Sequence, residues 1–282
     1  LKTYYKMKNK FINPYLFLAC RPRQWTKNLL VFAGPLFSFD ITHDLWTSSL
    51  KVFLIFCLLS SAIYLINDIL DIESDRLHPT KNKRPIASGL VSIRKAYLLV
   101  ILLLSFSIYF GILISSKLII IGILYLFIQL SYCLYLKKKP ILDIVCISSG
   151  FLLRAVSGAF VGSLPISPWF LLSVSLLALF LAIEKRKSEL ITFNNTGICT
   201  RRVLKEYSLP LLSRFENIVA TGSFVSYSLW AAGPTLNGAP TQWMLITVPF
   251  VLIGIFRYQL LSDREFNNIN FISKEKSIEN PE

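Results

Sequence analysis

Two stretches of the sequence, residues 96–116 and 118–136, hold no charged side chain, and each is long enough to cross a bilayer core as a helix, which takes about 20 residues. A backbone in lipid must satisfy its own hydrogen bonds, so such runs fold as helices. Six further apolar runs accompany them: residues 28–39, 50–70, 141–165, 169–183, 218–233 and 243–260. The first is short and needs a helix that continues past Asp40. The predicted fold is therefore all-α, a polytopic membrane bundle with eight spans. Composition agrees: 54% of the 282 residues are hydrophobic and 16% charged, which excludes soluble, disordered and disulfide-scaffold chains. The five cysteines show no ligand spacing, and with two histidines a zinc site is not indicated.

The net charge of +14 would suggest nucleic acid in a soluble protein, but the bases lie between apolar blocks, so no nucleic-acid partner is expected. Numbering the compartments alternately places all but Lys51, Lys117 and Arg154 of the 30 Lys and Arg residues on one side. That side is expected to be the cytosol, with both chain ends in it, and the membrane to be the plasma or inner membrane. The predicted organisation is a basic tail (1–20), a membrane domain (21–261) with long polar cytosolic segments at 72–94 and 184–214, and a polar tail (262–282). Long polar segments meeting a membrane are where chemistry is expected.

The second apolar run ends in Asn67, Asp68, Asp71 and Asp75. On a continued helix the three acids, spaced i, i+3, i+7, share one face, with Asn67 beside it. A helix C-terminus carries partial negative charge, so three carboxylates there call for a compensating cation. Oxygen ligands with room for water and phosphate suit Mg2+, which makes Asp68, Asp71 and Asp75 candidate metal ligands and catalytic residues. A solvated acidic turn paired with nearby lysines is the simpler alternative. Lys81 and Arg84 follow, as a metal–phosphate site requires, although a topology-driven basic loop explains them equally well.

Arg154 stands inside the fifth run, 11 residues after Asp143 and about 16 Å further along the helix on the same face. A charge at that depth faces the bundle interior. Its expected partner is an anionic headgroup or an interhelical carboxylate. The sixth run ends in Glu184, Lys185, Arg186, Lys187 and Glu189, where cations are also favoured by the helix dipole and by topology. Near the N-terminus, Trp25 lies among Arg21, Arg23 and Lys27; interfacial anchoring is its default role, while Lys27 could reach a shared cavity.

Together these segments resemble the UbiA superfamily of intramembrane prenyltransferases, whose NDxxDxxxD motif appears as Asn67 to Asp75. Residues 21–28, 78–87, 153–158 and 185–190 resemble its branch of decaprenyl-phosphate phosphoribosyltransferases, and the similarity runs from about Arg21 onward. The resemblance implies a UbiA-like bundle around a cytosol-facing cavity. It also implies an enzyme that transfers 5-phosphoribose from phosphoribosyl pyrophosphate to a polyprenyl phosphate, with Mg2+ on the aspartates and release of pyrophosphate. Lys27, Tyr64, Asn67, Lys81, Arg84, Arg154, Lys185, Arg186 and Glu189 are the expected substrate-binding residues. Aromatic prenyltransferases carry a second aspartate-rich motif where this chain has Glu184 to Glu189, which speaks against an aromatic acceptor. The family has nine helices, and the ninth is expected to be absent from a chain that stops at Glu282. Two alternatives stay open: prenyl transfer from a prenyl diphosphate to a small acceptor, and a phosphate or ion transporter. A homo-oligomer is compatible with all three.

Overall fold

The computed structural model describes residues 14–39, 42–78, 80–197, 201–234 and 238–279, with side chains placed as far as Asp263. Much of the expected basic tail (1–13), Asp40, Cys199 and residues 280–282 therefore lie outside the described residues. Ten α-helices follow in order: α1 (Pro14–Ala19), α2 (Ala33–Ser38), α3 (His43–Leu70), α4 (Ile72–Leu77), α5 (Ile93–Ile114), α6 (Ser116–Leu134), α7 (Leu142–Val161), α8 (Pro168–Thr196), α9 (Leu209–Ala231) and α10 (Val248–Glu279). Among the described residues there is no strand. Six of the helical segments are long and apolar enough to cross a membrane: α3, α5, α6, α7, α8 and the stretch Gln242–Asp263. The chain is a multi-pass membrane protein.

The other two of the eight expected runs are also helical but differ in kind. α9 has 23 residues and carries Arg214 and Glu216. The first run is an eleven-residue 3-10 helix, Pro22–Phe32, continued by the six residues of α2. A 3-10 helix rises about 2.0 Å per residue against about 1.5 Å in an α-helix, so these few residues have the contour length of a bilayer core, about 31 Å. α8 and α10 run further than their apolar runs predicted. Residues 184–196 continue as helix instead of opening a loop, and the polar tail is helical through Glu279.

The packing places α3 and α7 at the centre. α3 contacts the Pro22–Phe32 helix, α5, α6 and α7, while α7 packs on α6, α8 and the same 3-10 helix. One core gathers Val31, Phe56, Leu59, Ile121, Tyr125 and Leu153; another gathers Ile144, Phe180, Ile183, Leu204 and Leu212. The outer faces of α5, α6 and α10 leave large apolar side chains exposed, including Ile101, Ile112, Phe127, Phe250 and Ile253, as a lipid-facing surface requires. Gly158 permits the closest helix approach: a Cβ there would collide with the carbonyl of Val31. Small residues serve the same purpose wherever membrane helices pack through their backbones.

Candidate active site

α3 ends at Leu70, and Asp71 forms the bend before α4. Backbone hydrogen bonds continue across it, from Asp71 N to Asn67 O (3.0 Å) and from Asp75 N to Asp71 O (2.8 Å), so helical phase is nearly kept. At about 100° per residue, Asp75 falls about 20° from Asp68 around the helix, whereas Asp71 falls about 60° away. The side chains follow that arithmetic. Asp68 and Asp75 are buried and share one cation: Arg84 Nη1 donates to Asp68 Oδ1 (3.1 Å) and to Asp75 Oδ2 (2.5 Å). Arg21 Nη2 donates to the same Asp68 oxygen at 2.5 Å, with its guanidinium 5.1 Å from the centre of the Tyr64 ring. Asp71 turns aside to accept from Lys137 Nζ at 2.6 Å. Three bases thus provide the compensation that acids at a helix C-terminus need.

The structure therefore brings Asp68 and Asp75 together and separates Asp71 from them. Among the described residues no three acidic, His or Cys side chains converge as a ready cage. The acid pair nonetheless suits a cation, because its oxygens already enclose a positively charged nitrogen.

A collar of lysines lies beside the acid cluster: Lys81 is within electrostatic reach of Asp75 and Arg84, and Lys27 and Lys185 of Arg21. Among the described residues Lys27, Lys81 and Lys185 have no ion-pair partner. Lys27 is within electrostatic reach of Lys185, Arg154 and Arg21, and Lys185 within reach of Glu189, Arg201 and Arg21. The Lys81 ammonium is held below its ordinary value of 10.5, first by burial and then by Arg201 and Arg84. His78 Nδ1 accepts from the backbone of Thr80 (3.2 Å) and Lys81 (3.4 Å), which orders the turn that carries Lys81. Tyr64 and Asn67 are half-buried on the same side of α3.

Arg154 lies deeper and, among the described residues, meets no carboxylate. Its Nε donates to Asn28 Oδ1 (2.7 Å), its Nη1 to Gly150 O (2.6 Å) and its Nη2 to Tyr125 OH (2.9 Å). The rings of Tyr125, Phe56 and Phe151 lie 5.0, 5.8 and 5.8 Å from its guanidinium carbon. Neutral oxygens and ring faces hold the charge, and the carboxylate alternative is set aside. Asn28 is fully buried and also donates to Ser60 Oγ and Cys57 Sγ, both at 3.3 Å.

Arg186 faces α7 instead of the acids. Its side chain is 0% exposed, with Nε on Asp143 Oδ2 (2.6 Å) and Nη1 on Glu189 Oε2 (2.7 Å). Tyr207 OH donates to the other Asp143 oxygen at 2.7 Å and accepts from Ile141 N. Glu189 meets Arg201 Nε at 3.2 Å, and Arg201 Nη1 donates to Tyr132 OH at 3.1 Å. Arg186 thus positions Glu189, and through it Arg201, at the edge of the lysine collar. Trp25, expected at an interface, is half-buried, and its Nε1 donates to Ser61 Oγ at 3.0 Å.

Sequence reasoning passed over Arg21, Lys137, Arg201 and Asn28 as site components. Topology alone accounted for the three bases, and Asn28 opens the shortest apolar run. One trace of Arg21's role is its backbone, which is left-handed (φ 54°, ψ 61°), a conformation that costs a non-glycine residue about 1 kcal/mol. Such outliers gather at functional sites.

Residues 29–270 match the model of the UbiA prenyltransferase family, and the chain belongs to that family. It is 41% identical over 256 residues to a decaprenyl-phosphate phosphoribosyltransferase of Mycolicibacterium smegmatis, spanning 86% of this chain and 80% of the relative. It is 38% identical over 248 residues to the protein of the same name from Corynebacterium glutamicum, spanning 85% and 74%. Among solved structures, a UbiA homologue from Archaeoglobus fulgidus bound to GPP and Mg2+ superposes with a TM-score of 0.71 at 17% identity, covering 92% of this chain and 96% of that one.

Proposed function

We propose that the chain is a membrane glycosyltransferase that moves 5-phosphoribose from phosphoribosyl pyrophosphate to a polyprenyl phosphate of the decaprenyl type. The observation that carries this reading is the buried Asp68–Arg84–Asp75 cluster set beside a collar of lysines without acid partners. That arrangement suits a substrate with several phosphates, and the relatives' name supplies the reaction. The basic end of the bundle faces the cytosol, where a soluble sugar donor is found and where positively charged segments are retained.

Lys81 and Arg84 hold the pyrophosphate, and Lys27 and Lys185 supply charge for a second phosphate group. Tyr64, Asn67 and Glu189 offer hydrogen bonds to ribose hydroxyls. The bond from ribose C1 to the pyrophosphate oxygen breaks, and its electron pair leaves with pyrophosphate. An oxygen of the lipid phosphate forms the new bond to C1. That oxygen is already an anion, so no general base is required. Bound by Asp68 and Asp75, with Asp71 recruited, Mg2+ would neutralise charge on the departing pyrophosphate. Preorganised charge of this kind is usually the largest catalytic term.

Membranes containing the chain, given labelled phosphoribosyl pyrophosphate and decaprenyl phosphate, are expected to place label in a lipid product. Label entering only from a prenyl diphosphate, or flux through liposomes with no covalent product, would replace this reading with prenyl transfer or transport.

A further inference from the structure

Glu184 and Lys187, three residues apart on α8, face α9 and α10 and take no part in the proposed transfer. Glu184 is 2% exposed and Glu216, from α9, 4% exposed. The Lys187 ammonium lies 2.9 Å from Glu216 Oε2, 3.6 Å from Asp263 Oδ1 on α10 and 3.7 Å from Glu184 Oε1. Gln259 Nε2, also from α10, donates to the other Glu216 oxygen at 2.6 Å. Glu216 therefore has a donor on each oxygen. Glu184 has none of ordinary geometry on either oxygen among the described residues, although Glu216 and the Ser262 hydroxyl stand beside it. Asp143 from α7 and Arg201 meet α8 on its other side, at Arg186 and Glu189. Among the described residues, then, three carboxylates share one ammonium, and two of the three are buried.

A buried carboxylate without donors is costly, and a second negative charge beside it raises the cost. A proton on Glu184 removes both penalties: its O–H becomes a donor to Glu216, and Lys187 balances Glu216. Asp263, 62% exposed, keeps solvent as well as Lys187. We propose that Glu184 is a protonated acid sharing its proton with Glu216, and that this proton clasps α10 to α8 and α9. Loss of the proton to solvent sets two buried anions beside Asp263 with one ammonium between them. The element that yields is α10, because it carries the third acid and turns Phe250, Ile253 and Phe256 outward to lipid. The groove between α9 and α10, lined by Ala220, Phe224, Leu252 and Ile255, widens as it does so.

The test uses the full chain in a maltoside detergent. At neutral pH its infrared spectrum is expected to hold a protonated-carboxyl carbonyl band that Glu184→Gln lacks. Glu216→Gln is expected to lack it too, because Glu184 then becomes the counter-ion of Lys187. The folded chain binds this proton more tightly than the unfolded one, so its contribution to stability is present at acid pH and lost as pH rises. Glu184→Gln, which stays neutral, is expected to gain a few degrees of melting temperature on the parent between about pH 5 and about pH 8. At the alkaline end the amides of residues 252–263 are expected to exchange hydrogen more slowly in Glu184→Gln than in the parent. An infrared band unchanged in Glu184→Gln, or a melting gap constant with pH, overturns the protonated acid. A band retained in Glu216→Gln overturns the sharing, and equal amide exchange overturns the clasp.

Discussion

Arg154 donates to Asn28 across 126 residues, joining the middle of α7 to the 3-10 helix that opens the bundle. The bond serves a buried charge that lacks an acidic partner, so removing the acceptor leaves a desolvated donor. Asn28→Leu is expected to lower stability by about 2 kcal/mol or more, while Asn28→Asp, which puts a carboxylate against the guanidinium, keeps the fold. Thermal unfolding in detergent reads the difference; a variant Asn28→Leu as stable as the parent would remove this bond from the account of the core.

Asp68 and Asp75 share Arg84, whereas Asp71 stands apart. Asp68→Asn and Asp75→Asn are expected to reduce turnover by at least about 10²-fold, the usual effect of removing one preorganised charge. Asp71→Asn is expected to act chiefly on the divalent-metal concentration giving half-maximal rate. Initial rates over a Mg2+ series separate the two; equal kcat losses at saturating metal would place all three acids in one set.

The general plan was legible in the sequence, and specific connections were not. Charge-free runs and the one-sided placement of bases require a bundle, and the spacing of Asp68 and Asp75 puts them on one stripe. The same one-sided bias hid Lys137 and Arg201, because a basic loop needs no further reason to be basic. The depth of Arg154 is legible, but its partner Asn28 lies where the 3-10 helix Pro22–Phe32 supplies most of the first span, a geometry that apolar periodicity does not reveal.

Gly158 and Gly254 make a matched pair. A Cβ at 158 strikes the carbonyl of Val31, while one at 254 meets nothing within 4 Å. Gly158→Ala is expected to destabilise by about 1–3 kcal/mol through overpacking, and Gly254→Ala to be neutral or slightly stabilising through helix propensity. Melting temperatures in one detergent check both; a drop of equal size at the two positions would show that backbone freedom, not contact, is what matters.

Lys81 is held below 10.5 by burial and by two neighbouring arginines. A bound phosphate favours its charged form, so binding takes up a proton wherever free Lys81 is partly neutral. Pyrophosphate affinity is therefore expected to be level at lower pH and to fall as pH climbs through the lowered value, and Lys81→Arg to lose that alkaline fall because guanidinium stays charged. Calorimetry in two buffers of different ionisation enthalpy measures the proton count; an identical alkaline limb in Lys81→Arg would assign the titration to another group.

α8 is 29 residues of unbroken helix, about 43 Å long, some 13 Å more than a hydrocarbon core requires. Lys185 and Glu189 ride on that surplus, beyond the apolar part of the rod. α8 packs along α7 and α9, so it is those neighbours that hold the rod's tilt and thereby where the two side chains stand.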